Sequence, residues 1–250
     1  MQQQLASHLG LEEAGVIVSI RIGISGWQYA PWRGVFYPKD LPQRQHLSYV
    51  ANTFPARYIT HMRRLRDVET PLANFFASGP LALRDKLGPL LWQFPPGFRY
   101  ERERMLHFFD QLPRDTIEAA RLARRHERWL RGRVHLETDA RRVLRHAVEI
   151  RNDSFADELF IGLLRDQVIA LVIAESARRW PMLQDVTADF VYLRLHGDKE
   201  LYRGGYASRQ RDVYCFLDNT DVKLRAPFDT QSLMRKLRLK WAPPPPRRGS

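Results

Sequence analysis

The feature that most restricts the fold is the stretch His146–Asn152, HAVEIRN. It reads as a short apolar strand that ends in charge. Side chains alternate faces along a strand, so Val148 and Ile150 share one face while Glu149 and Arg151 share the other. A carboxylate and a guanidinium leaving the end of an apolar strand on one side need each other, or a ligand, to be tolerated there. The same plan recurs: an apolar strand, polar residues at its C-terminal end, then a helix or loop. Ile17–Ile24, Pro89–Phe94, Val168–Ala174, Phe190–Leu195 and Val213–Leu217 are the other strands this pattern predicts.

About six nearly all-apolar strands separated by helices predict an α/β fold with a parallel sheet covered on its outside. A TIM-type (β/α) barrel fits, because functional groups then gather at the C-terminal ends of the strands. The competing open, doubly wound sheet usually carries a Gly-rich phosphate loop after its first strand. Here that position holds GISGW, whose Trp27 would obstruct a close backbone approach. Between the strands, helices are predicted over Gln45–Phe54, Leu72–Leu87 with an interruption at Gly79-Pro80, Met105–Leu112, Asp157–Leu164 and Pro227–Leu239. Ala56–Thr60 reads as a brief strand or extended segment. A further helix starts at Asp115 as N-cap, with Glu118 three residues on. Continued to Arg131, it puts Ala119, Leu122, His126 and Trp129 on one face and Arg121, Arg124, Arg128 and Arg131 beside them. That arginine stripe either meets phosphates or is a solvated face.

The candidate site residues lie at or just past the strand ends: Ser25, Gln93, Glu149, Arg151, Glu175, Arg194, His196, Asp218 and Asn219. Trp27 and Tyr29, next to the first strand, are candidates for a ligand wall, while Trp32, Phe36 and Tyr37 plug one end of the domain. Arg151 and Arg194 can fork onto a phosphate or carboxylate. His196 is placed as general acid or base, and Glu149 either orients Arg151 or is the base itself. The competing reading makes Glu149 and Arg151 a plain buried ion pair. A metal is not expected. His196, Glu149, Glu175 and Asp218 are suitable ligand types, but Arg151 and Arg194 on the same faces disfavour a divalent ion, and no paired His or Cys motif is present. Ser25 lacks a nucleophile elbow. Cys215 alternates with Val213 and Leu217 and reads as a core thiol. No cofactor is expected.

The net charge of +12 and pI near 10.2 favour polyanions, phosphorylated ligands or acidic surfaces, unless the excess of Arg is only compositional. No apolar run approaches the ~20 residues of a membrane span. The N-terminus lacks the pattern of a secretory signal, and a single Cys excludes an internal disulfide, so a cytoplasmic location is expected. Residues 1–15 read as a flexible leader, 16–239 as the barrel domain and 240–250, WAPPPPRRGS with its preceding Lys, as a disordered Pro-rich tail.

The segments GISGWQYAPWRGVFYPKDLP, YITH, KLGPLLWQFPP, AVEIRNDSF, DFVYLRLHGDKELYRGGY and VYCFLDN occur in that order. Together, from about Ile20 to Leu239, they resemble the YecE-like family, the domain of unknown function 72. The resemblance implies a TIM-type barrel and no established activity. The family continues after the position of Phe54 with a second strand carrying an E-x-N-x-x-F-Y motif, a helix, and a third strand ending in Lys. Here Phe54 runs almost directly into PARYITH. A family helix after Tyr206 also has almost no room. Asn152, Phe155 and Glu175 stand where the family has His, Trp and commonly Asp. The resemblance thus implies an incomplete barrel with open edges, of low stability alone or completed by pairing of copies.

The expected function is binding of a phosphate- or carboxylate-bearing ligand at the strand ends, by an enzyme acting on phosphoesters or nucleic acid. In that case Glu149→Gln and His196→Ala abolish turnover and leave the fold intact. The alternatives are a non-catalytic binder of nucleic acid or phosphate and an inactive truncated family member.

Overall fold

The computed structural model of the chain describes residues 19–24, 54–130, 132, 134–176, 179–195, 211–217 and 226–237. Among the described residues there are six strands: β1 Ile20–Ile24, β2 Leu90–Gln93, β3 His146–Glu149, β4 Ala170–Glu175, β5 Phe190–Leu195 and β6 Asp212–Leu217. All neighbours pair in parallel, in the order β1-β6-β5-β4-β3-β2. Among the described residues the sheet is open, with β1 and β2 at its edges. The α/β fold and parallel sheet agree with the reading of the strands as apolar runs bounded by helices.

The helices are α1 Phe54–Arg57, α2 Glu69–Ala77, α3 Arg102–Asp110, α4 Thr116–Ala123, α5 Glu158–Asp166 and α6 Ala226–Lys236. Gly79, at φ 118°, turns the chain out of α2 into a 3-10 segment, Pro80–Lys86, where the sequence predicts the interruption. Asp115 caps α4 as expected, accepting from the backbone N–H groups of Ile117 and Glu118 at 2.9 Å each. Asp157 caps α5 through a single bond, accepting from the Leu159 backbone N–H at 2.7 Å.

Two local predictions are corrected. Ala56–Thr60 is not extended. α1 passes straight into a π-helical turn, Tyr58–Met62, and the Thr60 hydroxyl donates to the Ala56 carbonyl. Pro55 lies in the first turn of α1, where its missing N–H leaves nothing unpaired, and burial of Ile59 overrides its strand preference. The second correction concerns α4, which stops at Ala123, so Arg128 and Trp129 are not on its face. The Asn74 side chain takes the Glu127 backbone N–H at 2.9 Å and donates to the Glu127 carboxylate at 2.6 Å, drawing the chain off the helix axis.

The outer face of the sheet is buried under the helices. Trp92, Phe75, Phe76, Phe108 and Phe109 pack on one side of β2 and β3, and Phe94, Phe98, Phe155 and Phe160 continue the layer. Each such side chain removed from water contributes on the order of 2–3 kcal/mol. Within this layer His146 is locked: it accepts from the Trp92 indole N–H at 3.1 Å and its Nε2 faces the Pro113 carbonyl at 2.8 Å. Cys215 lies in the outer layer with Leu193, Leu195 and Leu217. The inner face carries Ala147, Ala170, Val172, Ala174, Phe190, Tyr192 and Tyr214. At the N-terminal ends of the strands this inner face is closed by a polar cluster. Arg145 donates to Asp212 at 2.6 Å, to Tyr214 at 3.1 Å and to Asp189 at 3.2 Å. Arg21 donates to Tyr214 at 3.1 Å and lies 3.6 Å from Asp212, which also accepts from Ser19.

Candidate functional site

At the opposite, C-terminal end of the inner face stands Glu149. Its position follows from alternation: Ala147 and Glu149 share the inner face, while His146 and Val148 face the helices. Register sets Gln93 directly beside Glu149, and Arg194 beside Ala174. The inner face of β4 offers only Ala170, Val172 and Ala174. These small side chains leave room for Arg194 to reach across β4 to Glu149.

Glu149 is fully buried, at 0 % exposure. Its Oε1 accepts from Gln93 Nε2 and from Arg151 Nε, both at 2.9 Å, and its Oε2 accepts from Arg194 Nη1. Burial alone would raise its pKa. The charges of Arg194 and Arg151, with the hydrogen bonds from Gln93 and Arg194, outweigh burial and hold the carboxyl below its ordinary value. A carboxylate so engaged orients arginines and is poorly suited to accept a proton. Arg194 is nearly as buried as Glu149, whereas the Arg151 side chain is 21 % exposed. Its guanidinium lies 5.6 Å from the centre of the Trp180 ring. Only Nε of Arg151 is held by Glu149, so its terminal nitrogens are the site's accessible donors among the described residues.

The structure thus joins Gln93, Glu149, Arg151 and Arg194. Glu175, also at a strand end, pairs in register with Leu195 and so lies on the opposite sheet face from Arg194. It does not join the cluster. Ser25, Trp27, Tyr29, His196, Asp218 and Asn219 lie outside the described residues.

Two further elements reach this end of the sheet. His61, on the π-helical turn after α1, is close enough to feel the charges of Arg57, Arg151 and Glu149. Its turn is tied down nearby: Arg64 donates to the Gly97 carbonyl at 3.3 Å, and Asn152 donates to the Pro96 carbonyl at 2.7 Å, so the loops after the π turn, β2 and β3 are joined. Burial, then Arg57 and Arg151, lower the His61 pKa, and Glu149 only partly opposes them. Trp180 arrives from the loop after β4, where its backbone N–H bonds to Ser176 at 3.1 Å. His61 follows Ala56–Thr60, which the sequence reads as a brief strand or extended segment, and Trp180 stands at no predicted strand end. The YITH segment was the one sequence signal that marked His61. Among the described residues no group of three or more His, Cys, Asp or Glu is arranged to hold a metal ion.

The comparisons with known proteins bear on this arrangement. The family model described as "Protein of unknown function DUF72" matches residues 21–56 and 55–249. The chain belongs to the DUF72 family. Among solved structures it is similar to a DUF72 family protein from Thermotoga maritima, at 20 % identity and a TM-score of 0.57, with 88 % of this chain and 99 % of that chain covered. A DUF72 family protein from Enterococcus faecalis matches at 15 % identity and a TM-score of 0.56, covering 92 % of this chain and all of that one. At these identities the likeness speaks for the fold alone. No curated protein matches the chain. No helix among the described residues of this DUF72 protein is long and apolar enough to cross a membrane.

Proposed function

We propose that this DUF72 protein binds an oxyanion, a phosphate or carboxylate carried by its ligand, at the C-terminal ends of the strands. The observation that carries the reading is the guanidinium of Arg151. It is partly exposed, gives only Nε to the buried Glu149, and among the described residues its terminal nitrogens have no hydrogen-bond partner. An oxyanion can accept from them. Ser25, Trp27, Tyr29, His196, Asp218 and Asn219 remain candidate ligand contacts from their places after β1, β5 and β6. Titration calorimetry with inorganic phosphate tests the reading. Binding is expected for the full chain, and Arg151→Ala is expected to weaken it about tenfold or more, the scale of a charge-assisted hydrogen bond. Equal binding by both proteins would remove Arg151 from the site.

A second reading, binding of nucleic acid, is favoured by the exposed Arg121, Arg124 and Arg128 beyond the pocket. In it, affinity for a single-stranded oligonucleotide falls steeply with salt, and a binding constant flat between low and moderate salt counts against it. The reading that the family's second and third strands are missing is supported by the family match, whose two segments meet at residues 55–56. The open edges at β1 and β2 then favour pairing between copies.

A further inference from the structure

We infer that His61 is the proton acceptor of this pocket, taking a proton through Nε2 from a water molecule that attacks a phosphoester held on Arg151. The inference rests on the oxyanion pocket and adds a reaction to it. Its basis is a short hydrogen-bond chain that fixes the imidazole. The Thr60 hydroxyl has one hydrogen, and the Ala56 carbonyl, 3.1 Å away, takes it. Toward His61 Nδ1, at 2.9 Å, Thr60 Oγ1 is therefore left as an acceptor. With the hydroxyl hydrogen on the Ala56 carbonyl, Nδ1 carries the ring proton and Nε2 the lone pair, which is the tautomer this inference assigns.

Three further observations favour a working base over a packed histidine. His61 is only half-buried, and no other hydrogen-bond partner holds its ring among the described residues. It sits on a π-helical turn, a rare geometry that often marks function. Arg64, Leu65 and Asp67, just after it, all have positive φ, at 51°, 63° and 47°. Backbone strain of this kind persists where the surroundings hold it in place, and here the Arg64 side chain is anchored to the Gly97 carbonyl. Burial first, then the charges of Arg57 and Arg151, lowers the His61 pKa and favours the neutral ring; Glu149 opposes only in part, and its own oxygens are engaged. Glu149 then keeps the orienting role, and His61 takes the role of base.

The step balances without a further reagent. The water oxygen bonds to phosphorus as the ester P–O bond breaks, and the bonding pair leaves on the alcohol oxygen. The water proton passes to Nε2, and the imidazolium then gives it to the departing oxygen or to solvent.

The test uses the full chain with p-nitrophenyl phosphate and bis(p-nitrophenyl) phosphate, beside calorimetry with inorganic phosphate. Turnover of at least one ester is expected. His61→Ala and His61→Gln are each expected to lose it about a hundredfold or more, the usual contribution of a general base, with phosphate affinity changed less than about threefold. Thr60→Val, which removes the positioning hydroxyl, is expected to move the acidic limb of the pH–rate profile. Nitrogen NMR of the wild-type imidazole is expected to show Nδ1 protonated, a readout that needs no variant to fold. Absence of turnover on both esters, undiminished turnover in the His61 variants, or the opposite tautomer would each overturn the inference. Phosphate binding that survives those outcomes leaves the pocket standing, whereas loss of phosphate binding by the wild-type chain would remove both.

Discussion

The inner face of the sheet carries a charged cluster at each end, and the two are built differently. At the N-terminal end Arg145 and Arg21 meet Asp212 and Asp189, two cations with two carboxylates, helped by Ser19 and Tyr214. At the C-terminal end Glu149 accepts hydrogen bonds from both Arg151 and Arg194. The first cluster is balanced and partly open to water: Asp212 is 25 % exposed and Arg21 55 %. In the second the carboxylate is sealed from solvent and Arg151 is the partly exposed member. The balanced cluster reads as a plug for the sheet's lower end. In the proposed reading, the partly exposed Arg151 of the second cluster takes an anion.

The comparison is most open to attack at its two carboxylates. Glu149→Gln removes the buried carboxylate that Arg194 and Arg151 share, and a loss of about 3–5 kcal/mol in folding stability is expected by denaturant titration. Asp212→Asn, in screened surroundings, is expected to cost about 1 kcal/mol. Equal losses would erase the distinction between the ends. For Glu149→Gln, lost turnover alone would therefore not identify a base, because the same substitution strikes the fold.

Next in size is His146, buried behind β3 against Trp92. Burial, against the bond to Pro113, lowers its pKa to about 4. The unfolded chain, with an ordinary histidine near 6.5, binds the proton first as pH falls. The stability His146 contributes by staying neutral is thus complete above about pH 6.5 and is lost as pH falls toward about 4, by roughly 3 kcal/mol. Thermal melts of the wild type and His146→Ala across this range check it. The variant is expected to start lower, with the Trp92 N–H and Pro113 carbonyl unpaired, and to lose less on acidification. Parallel loss in both would assign the acid sensitivity elsewhere. The smallest expected effect on folding is at Arg151. Arg151→Ala is expected to change stability by less than about 1 kcal/mol, since the partly exposed guanidinium is the dispensable partner of Glu149.

The part of the site that was legible in the sequence is the part strands dictate. Alternation in HAVEIRN puts Glu149 on one face, and parallel pairing brings Gln93 and Arg194 to the same end. Glu175 shows where that reasoning stops. It lies at a strand end like the others, but one residue beyond Ala174 it points to the other face, and only the register with β5 decides which. His61 was hidden for a different reason. Its neighbours Ile59 and Thr60 favour a strand, and the π turn that presents its ring is set by packing and by the Thr60 hydroxyl. The arginine stripe fails at Asn74, a residue fifty-three positions from Glu127 that ends the helical path by capturing it. The cluster around Arg145 was equally silent, because it forms between β6, the start of β3 and the residue before β5.

The most direct test of the central claim is a phosphate titration of the full chain followed through its arginine Nε–H signals by two-dimensional NMR. The account predicts that the Arg151 signal moves and saturates while those of Arg145 and Arg21 stay in place. Movement of Arg145 or Arg21 with Arg151 unchanged, or no saturable movement at all, would contradict it.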